Sequence, residues 1–213
     1  MIWGHSMKDM EWLFFDLGGT LINETRSWDD RIRRTCKKHD IPEEEFRTVM
    51  AEASRKNLHE YRGALDKFGI SFGEKWDGSF SDPYEKAEEV LSALGAKYKL
   101  GVIANQPLNI RKRMENEWRL AEYFDLMIIS AEVGFSKPDL RLFREALYKA
   151  RTTADRCVMI GDKLTNDIAP AKKLGFKSVW IRQEWGGLQT VTSQELEPDI
   201  VIDSLSELPA LFL

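Results

Sequence analysis

The chain has 213 residues, enough to bury a sizeable interior as one domain or as one core with an insertion. A net charge of -4 excludes a general affinity for nucleic acid, since a phosphate backbone demands a basic face. No run approaches the roughly 18 apolar residues of a membrane helix, so no membrane partner is expected. The opening MIWGHSMKDM lacks the charged-then-apolar order of a signal peptide, and the expected compartment is the cytoplasm.

In chain order, the first element is an unbroken apolar run, Trp12, Leu13, Phe14 and Phe15, read as a buried strand. It ends in Asp16, and a turn containing Gly18, Gly19 and Thr20 follows. Residues 24–90 contain no strand-like run. Trp28, Ile32 and Cys36 recur every four residues, as on the buried stripe of a helix. The basic run around them, Arg31, Arg33, Arg34, Lys37 and Lys38, reads as a solvated helix face or as an anion-attracting rim. Phe46, Val49, Met50 and Ala53 mark a second helix, and Leu58, Tyr61, Leu65 and Phe68 a third. The aromatics Trp28, Tyr61, Trp76 and Phe80 are expected to pack these helices or their loop. Residues 71–83 read as a loop returning to the core, and a helix is expected from about Tyr84 to Leu94.

From Tyr98 onward short apolar runs alternate with helical periodicity, the signature of successive βα units and a parallel sheet. The expected strands are Lys99–Ala104, Leu126–Ser130, Cys157–Ile160, Ser178–Ile181 and Ile200–Ile202. Leu142, Phe143, Ala146, Leu147 and Ala150 mark one intervening helix; Ile168, Ala171 and Leu174 mark another that Gly175 can end. The fold expected is α/β: a Rossmann-like parallel-sheet core, residues 1–23 and 91–213, with a helical cap, residues 24–90, inserted after the first strand. Cys36 and Cys157 lie far apart with no metal-like spacing and are expected as reduced thiols. His5, His39 and His59 lie outside every motif, which argues against histidine or zinc chemistry.

Ligands in open α/β sheets bind at the carboxyl ends of the strands. Polar residues fall at three such ends: Asp16, Asn105 and Asp162. Asp167 follows Asp162 by five positions, and Lys137 lies in the SKPD loop. Converging carboxylates repel unless a hard cation sits among them, and Mg²⁺ suits a few carboxylates plus waters and a substrate phosphate. A lysine and the N–H groups of glycine-rich turns suit transferring oxygens. The set points to phosphoryl transfer, with Asp16 able to act as a nucleophile.

FFDLGGTL, VIANQP, SKPD and GDKLTND resemble, in order, the four motifs of the haloacid dehalogenase-like hydrolases. The resemblance implies a Mg²⁺-dependent hydrolase of small phosphorylated metabolites acting through an aspartyl phosphate. Asp16 would be nucleophile and metal ligand, and Lys137 would bridge Asp16 and the phosphoryl group. Gly18, through its carbonyl, Asp162 and Asp167 would complete the metal site. Thr20, Ala104 and Asn105 would face the substrate's oxygens.

Two positions depart from the family pattern. Gly18 stands where the family's phosphatases carry a second aspartate, the acid that protonates the leaving group, and Ala104 stands where they carry Ser or Thr. The alternatives left open are a non-catalytic binding or regulatory module on the same fold, or a hydrolase of carbon–halogen or carbon–phosphorus bonds. If the acid is missing, activated phosphates should be hydrolysed well ahead of alkyl esters, because positioned acids contribute roughly 10²–10⁴-fold.

Overall fold

The computed structural model describes Met7 and residues 10–213. Six strands form one parallel sheet: β1 (Trp12–Phe15), β4 (Lys99–Ala104), β5 (Leu126–Ile129), β6 (Cys157–Gly161), β7 (Lys177–Ile181) and β8 (Ile200–Ile202). Their order is β5-β4-β1-β6-β7-β8, so the first strand of the chain lies at the centre of the sheet. That position explains its composition. With a strand on each side and helices over both faces, every side chain of β1 must be apolar, and all four are buried.

The strand's period of two divides those side chains between two cores. Leu13 and Phe15 enter one with Val102, Ile160, Val179 and the helix α4 (Ala87–Gly95). Trp12 and Phe14 enter the other with Leu142, Phe143 and Ala146 of the helix Leu140–Ala150. Full burial of one such side chain stabilises by roughly 1.5–3 kcal/mol, so a charged substitution in β1 would undermine both faces of the sheet.

Between β1 and β4 the chain leaves the sheet. β2 (Ile22–Asn23) pairs antiparallel with β3 (Asp82–Pro83), and between them lie α1 (Thr25–His39), α2 (Glu43–Arg55) and α3 (Glu60–Lys67). Pro42 occupies the N-cap of α2, and Glu43, Glu44 and Glu45 in its first turn complement the positive end of the helix. These helices bury a core of their own around Trp28, Ile32, Phe46, Met50 and Tyr61. The expected helix from Tyr84 begins at Ala87, and its buried residues Val90, Leu91 and Leu94 pack with the sheet. The change from one core to the other therefore falls at the β2–β3 ribbon, ahead of residue 90. Two-residue strands carry no periodic signal, so the ribbon is invisible in sequence. Cys36 and Cys157 are both buried and unpaired. Among the described residues no helix is long and apolar enough to cross a membrane.

Candidate active site

A cavity of about 130 Å³ opens at the carboxyl end of the sheet, between it and the inserted helices. β1 delivers Asp16 to its floor, where the Asp16 amide donates to Ile160 O of the neighbouring β6 at 2.9 Å. The chain then turns sharply: Gly19 N donates to Ile22 O, and both Leu21 N and Ile22 N donate to Leu17 O. Gly19 adopts φ +72°, and a Cβ there would stand 2.7 Å from Asp162 Oδ2, so both backbone and space require glycine. β6 delivers Asp162, and the wide π-type turn Leu164–Ile168 brings Asp167 back beside it. Asp16, Asp162 and Asp167 each offer an oxygen within 4.8 Å of the others.

Lys137 knits this cluster. Its Nζ donates to Asp16 Oδ1 at 2.5 Å and to Asp167 Oδ1 at 2.6 Å. Burial alone would strip its proton, but the Asp16 and Asp167 carboxylates outweigh burial and hold the ammonium above its ordinary value. Burial also lifts Asp16 to about 6, opposed by Lys137 and reinforced by Asp167. Asp162 is pushed well above the usual carboxylate range, chiefly by burial. Its Oδ1 is buried without a hydrogen-bond partner among the described residues. Such an atom carries the full cost of desolvation unless a ligand satisfies it.

Asp167 differs from Asp162, because both its oxygens are engaged. Oδ1 accepts from Lys137 and Oδ2 from the Lys163 amide at 2.9 Å.

The three expected substrate contacts fall in different places. Asn105 lines the cavity, but its amide is clamped to the SKPD loop: Nδ2 donates to Lys137 O, and Oδ1 accepts from Lys137 N. It positions Lys137. Thr20 and Ala104 are fully buried and lie off the cavity wall, Ala104 within the core beneath it. Ala104 ends β4, where the next residue turns out to the cavity, so its small side chain packs inward.

Several cavity residues escape sequence reading. Glu60 of α3 accepts from Lys163 Nζ at 2.7 Å, and the two pair across the seam between insertion and core. Burial works against the Glu60 carboxylate, but Lys163 overcomes it and holds the group low. Glu184 accepts from the Glu24 amide at 2.6 Å and from Tyr84 Oη at 2.9 Å. Trp185, following Glu184, forms the wall beside Trp28, and its carbonyl accepts from Ser54 Oγ of α2. Glu24 lies beside Gly18: burial first, then Glu184 and Asp16, lift its carboxyl to about 8. Glu24, Glu60, Glu184 and Trp185 sit outside the four motifs, and Glu60 reaches Lys163, and Glu184 reaches Glu24, only through long-range packing. The one local hint is the acid of LINE, shortly after the glycine turn.

The basic run of α1 proves to be a paired helix face, away from the cavity. Arg31 stacks on Tyr61 and donates to Glu74 O; Arg33 and Arg34 pair with Asp30, and Lys38 with Glu74. Trp28, Tyr61 and Trp76 pack together as expected, and Phe80 lies beside Arg26.

Comparison with known proteins places this arrangement. Glyceraldehyde 3-phosphate phosphatase from Pyrococcus abyssi is 28% identical over 193 residues, covering 80% of each chain. The pyrimidine 5′-nucleotidase YjjG from Escherichia coli is 29% identical over 224 aligned positions, covering 94% of this chain and 97% of the relative. The L-2-haloacid dehalogenase structure from Xanthobacter autotrophicus superposes with a TM-score of 0.67 at 20% identity, over 95% of this chain and 98% of that one. This last likeness is of fold. The family model for haloacid dehalogenase-like hydrolases matches residues 13–181, and the chain belongs to that family.

Proposed function

We propose that the protein is a Mg²⁺-dependent phosphatase of small phosphorylated metabolites, with Asp16 as nucleophile. The observation that carries this reading is the pairing of a cation-ready cluster with a lysine. Among the described residues Asp162 Oδ1 has no hydrogen-bond partner, three carboxylates converge, and Lys137 ties Asp16 in place. A divalent cation fits this donor set, because hard oxygen ligands and an unsatisfied carboxylate oxygen suit it. Asp16, Asp162 and the Gly18 carbonyl would hold it, with Asp167 supporting through Lys137. When bound, the ion neutralises the converging carboxylates and polarises the phosphoryl oxygens. One relative is a phosphatase by name and the other a nucleotidase, and that supports the substrate class. Halide displacement needs no cation and would leave Asp162 Oδ1 unsatisfied.

In this mechanism Asp16 attacks phosphorus and the ester oxygen departs in line. Lys137 orients the attacking carboxylate and offsets charge on the transferring oxygens. Water then releases phosphate from Asp16. The inserted helices act as the cap, divided from the core at the β2–β3 ribbon, and the Trp28 and Trp185 side of the cavity restricts water and selects the substrate. A panel of phosphorylated metabolites, assayed with Mg²⁺ and with chelator, tests the reading. Mg²⁺-dependent phosphate release that disappears in Asp16→Asn is the expected result. Chelator-resistant turnover of a halogenated acid, with no phosphate release, would contradict it.

A further inference from the structure

We infer that Glu24 supplies the leaving-group acid that position 18 lacks. The inference rests on the phosphatase reading and names a catalytic residue for it. A Cβ built on Gly18 would stand 2.6 Å from Glu24 Oε1, 2.7 Å from Oε2 and 2.7 Å from Cδ. The Glu24 carboxyl thus fills the volume into which a side chain at position 18 would grow. Protein interiors do not hold two groups in one place, so a side chain at 18 would displace the end of Glu24 from the position it holds here.

Two further observations fit an acid and not a mere space filler. Among the described residues Glu24 and Gln106 alone line both the Asp16 cavity and an adjoining one of about 160 Å³, whose walls include Trp76, Trp118 and Arg113. A phosphoryl group over Asp16 would leave its organic portion to enter that aromatic-walled space, with the bridging oxygen between them, at Glu24. Among the described residues no lysine or arginine forms an ion pair with Glu24; its carboxyl faces the Gln106 side chain and the charged groups of Glu184, Asp16 and Lys163. Six carboxyl groups line the site (Asp16, Glu24, Glu60, Asp162, Asp167 and Glu184) against two ammonium groups (Lys137 and Lys163). Among the described residues Asp16, Asp167 and Glu60 form ion pairs with those two lysines, whereas Glu24, Asp162 and Glu184 form none, and of these three Glu24 is the one that lines both cavities.

The chemistry balances over two steps. Asp16 Oδ forms a bond to phosphorus while the phosphorus–ester oxygen bond breaks; that electron pair goes to the leaving oxygen, which takes the proton from Glu24 and departs as an alcohol. The Glu24 carboxylate then accepts a proton from the water that attacks phosphorus. The phosphorus–Asp16 bond breaks with its electron pair returning to the carboxylate, and inorganic phosphate leaves.

Glu24→Gln keeps the shape and removes the acid. For an alkyl phosphate such as glycerol phosphate we expect kcat/KM to fall by roughly 10²–10⁴-fold, and for 2,4-dinitrophenyl phosphate by less than about tenfold, because its leaving group needs little protonation. Thermal stabilisation by Mg²⁺ with beryllium fluoride, which mimics a phosphoryl group on aspartate, should match wild type. An equal loss on both esters, no loss on either, or loss of that stabilisation makes Glu24 a structural support and overturns the proposal. Gly18→Asp combined with Glu24→Ala should recover alkyl-ester turnover over Glu24→Ala alone; an unchanged dependence on the leaving group counts against it. If wild type hydrolyses neither ester, the phosphatase reading fails first and takes the proposal with it. Wild-type turnover with a uniform Glu24→Gln response overturns the proposal alone.

Discussion

Lys137 Nζ stands 2.5 Å from Asp16 Oδ1, and its buried ammonium is what allows Asp16 and Asp167 to face one site together. Lys137→Ala would leave two buried carboxylates uncompensated, a change that costs about 3–5 kcal/mol. Urea denaturation should show a loss of that order, with turnover falling at least about 10²-fold, as when a donor to transferring oxygens is lost. A stability change within about 0.5 kcal/mol, typical of surface sites, would mean that the lysine is not structurally coupled to the cluster.

Among the described residues Asp162 Oδ1 is a buried carboxylate oxygen without a hydrogen-bond partner, so Asp162 should dominate cation binding. A ligand that binds only the folded state raises its stability. Adding Mg²⁺ should therefore raise the melting temperature of wild type and leave Asp162→Asn nearly unchanged. An equal rise in both proteins would remove Asp162 from the metal site.

The raised carboxyl groups make the chelator-treated protein sensitive to alkali. Asp16 shifts from 3.8 to about 6 and Glu24 from 4.5 to about 8, so between those limits the folded state holds more protons than the unfolded state. The charged groups facing Glu24 are Asp16, Glu184 and Lys163, and the net effect is to retain its proton. This contribution is complete below about pH 4 and is lost as pH rises through 6 and then 8. Glu60, held low by Lys163 against the pull of burial, acts in the opposite sense, but only as pH falls through and below 4.5. Melting temperature should fall from pH 5 to 8 without metal, and Mg²⁺ should flatten the slope; a rise over that range in chelator would contradict the charge assignment.

The Lys163–Glu60 pair fastens α3 to the loop after β6 across the seam. Glu60 is almost wholly buried, so Lys163→Met strands its charge and should destabilise by about 3 kcal/mol. Glu60→Gln added to Lys163→Met should recover most of that loss. A double-mutant cycle on unfolding free energy reads the coupling; additive losses would show that the pair is incidental.

Much of the core was legible because its signals are local. Lys99–Ala104 and Ile200–Ile202 are strands with the bounds expected from their apolar runs, and Asp16, Lys137, Asp162 and Asp167 converge as their places at strand ends and loops suggested. What stayed hidden depends on distance along the chain. Glu24 meets Glu184 across 160 positions, and Glu60 meets Lys163 across 103. Neither pairing leaves a periodic or motif-like trace. Gly18 read alone suggests a site stripped of its acid; read with the side chain that occupies its space, it becomes half of an exchange. Asn105 lines the cavity after β4 as expected, and its amide also holds the backbone of Lys137, a contact across 32 positions that leaves no local trace.

The central claim is that Asp16 becomes covalently phosphorylated. Acid quenching during turnover of a phosphate ester, followed by borohydride reduction, converts an acyl phosphate to the corresponding alcohol, which peptide mass spectrometry can locate. The account predicts homoserine at position 16 in wild type and none in Asp16→Asn. Steady phosphate release with position 16 left as unmodified aspartate, or with the reduced residue at another carboxylate, would contradict it.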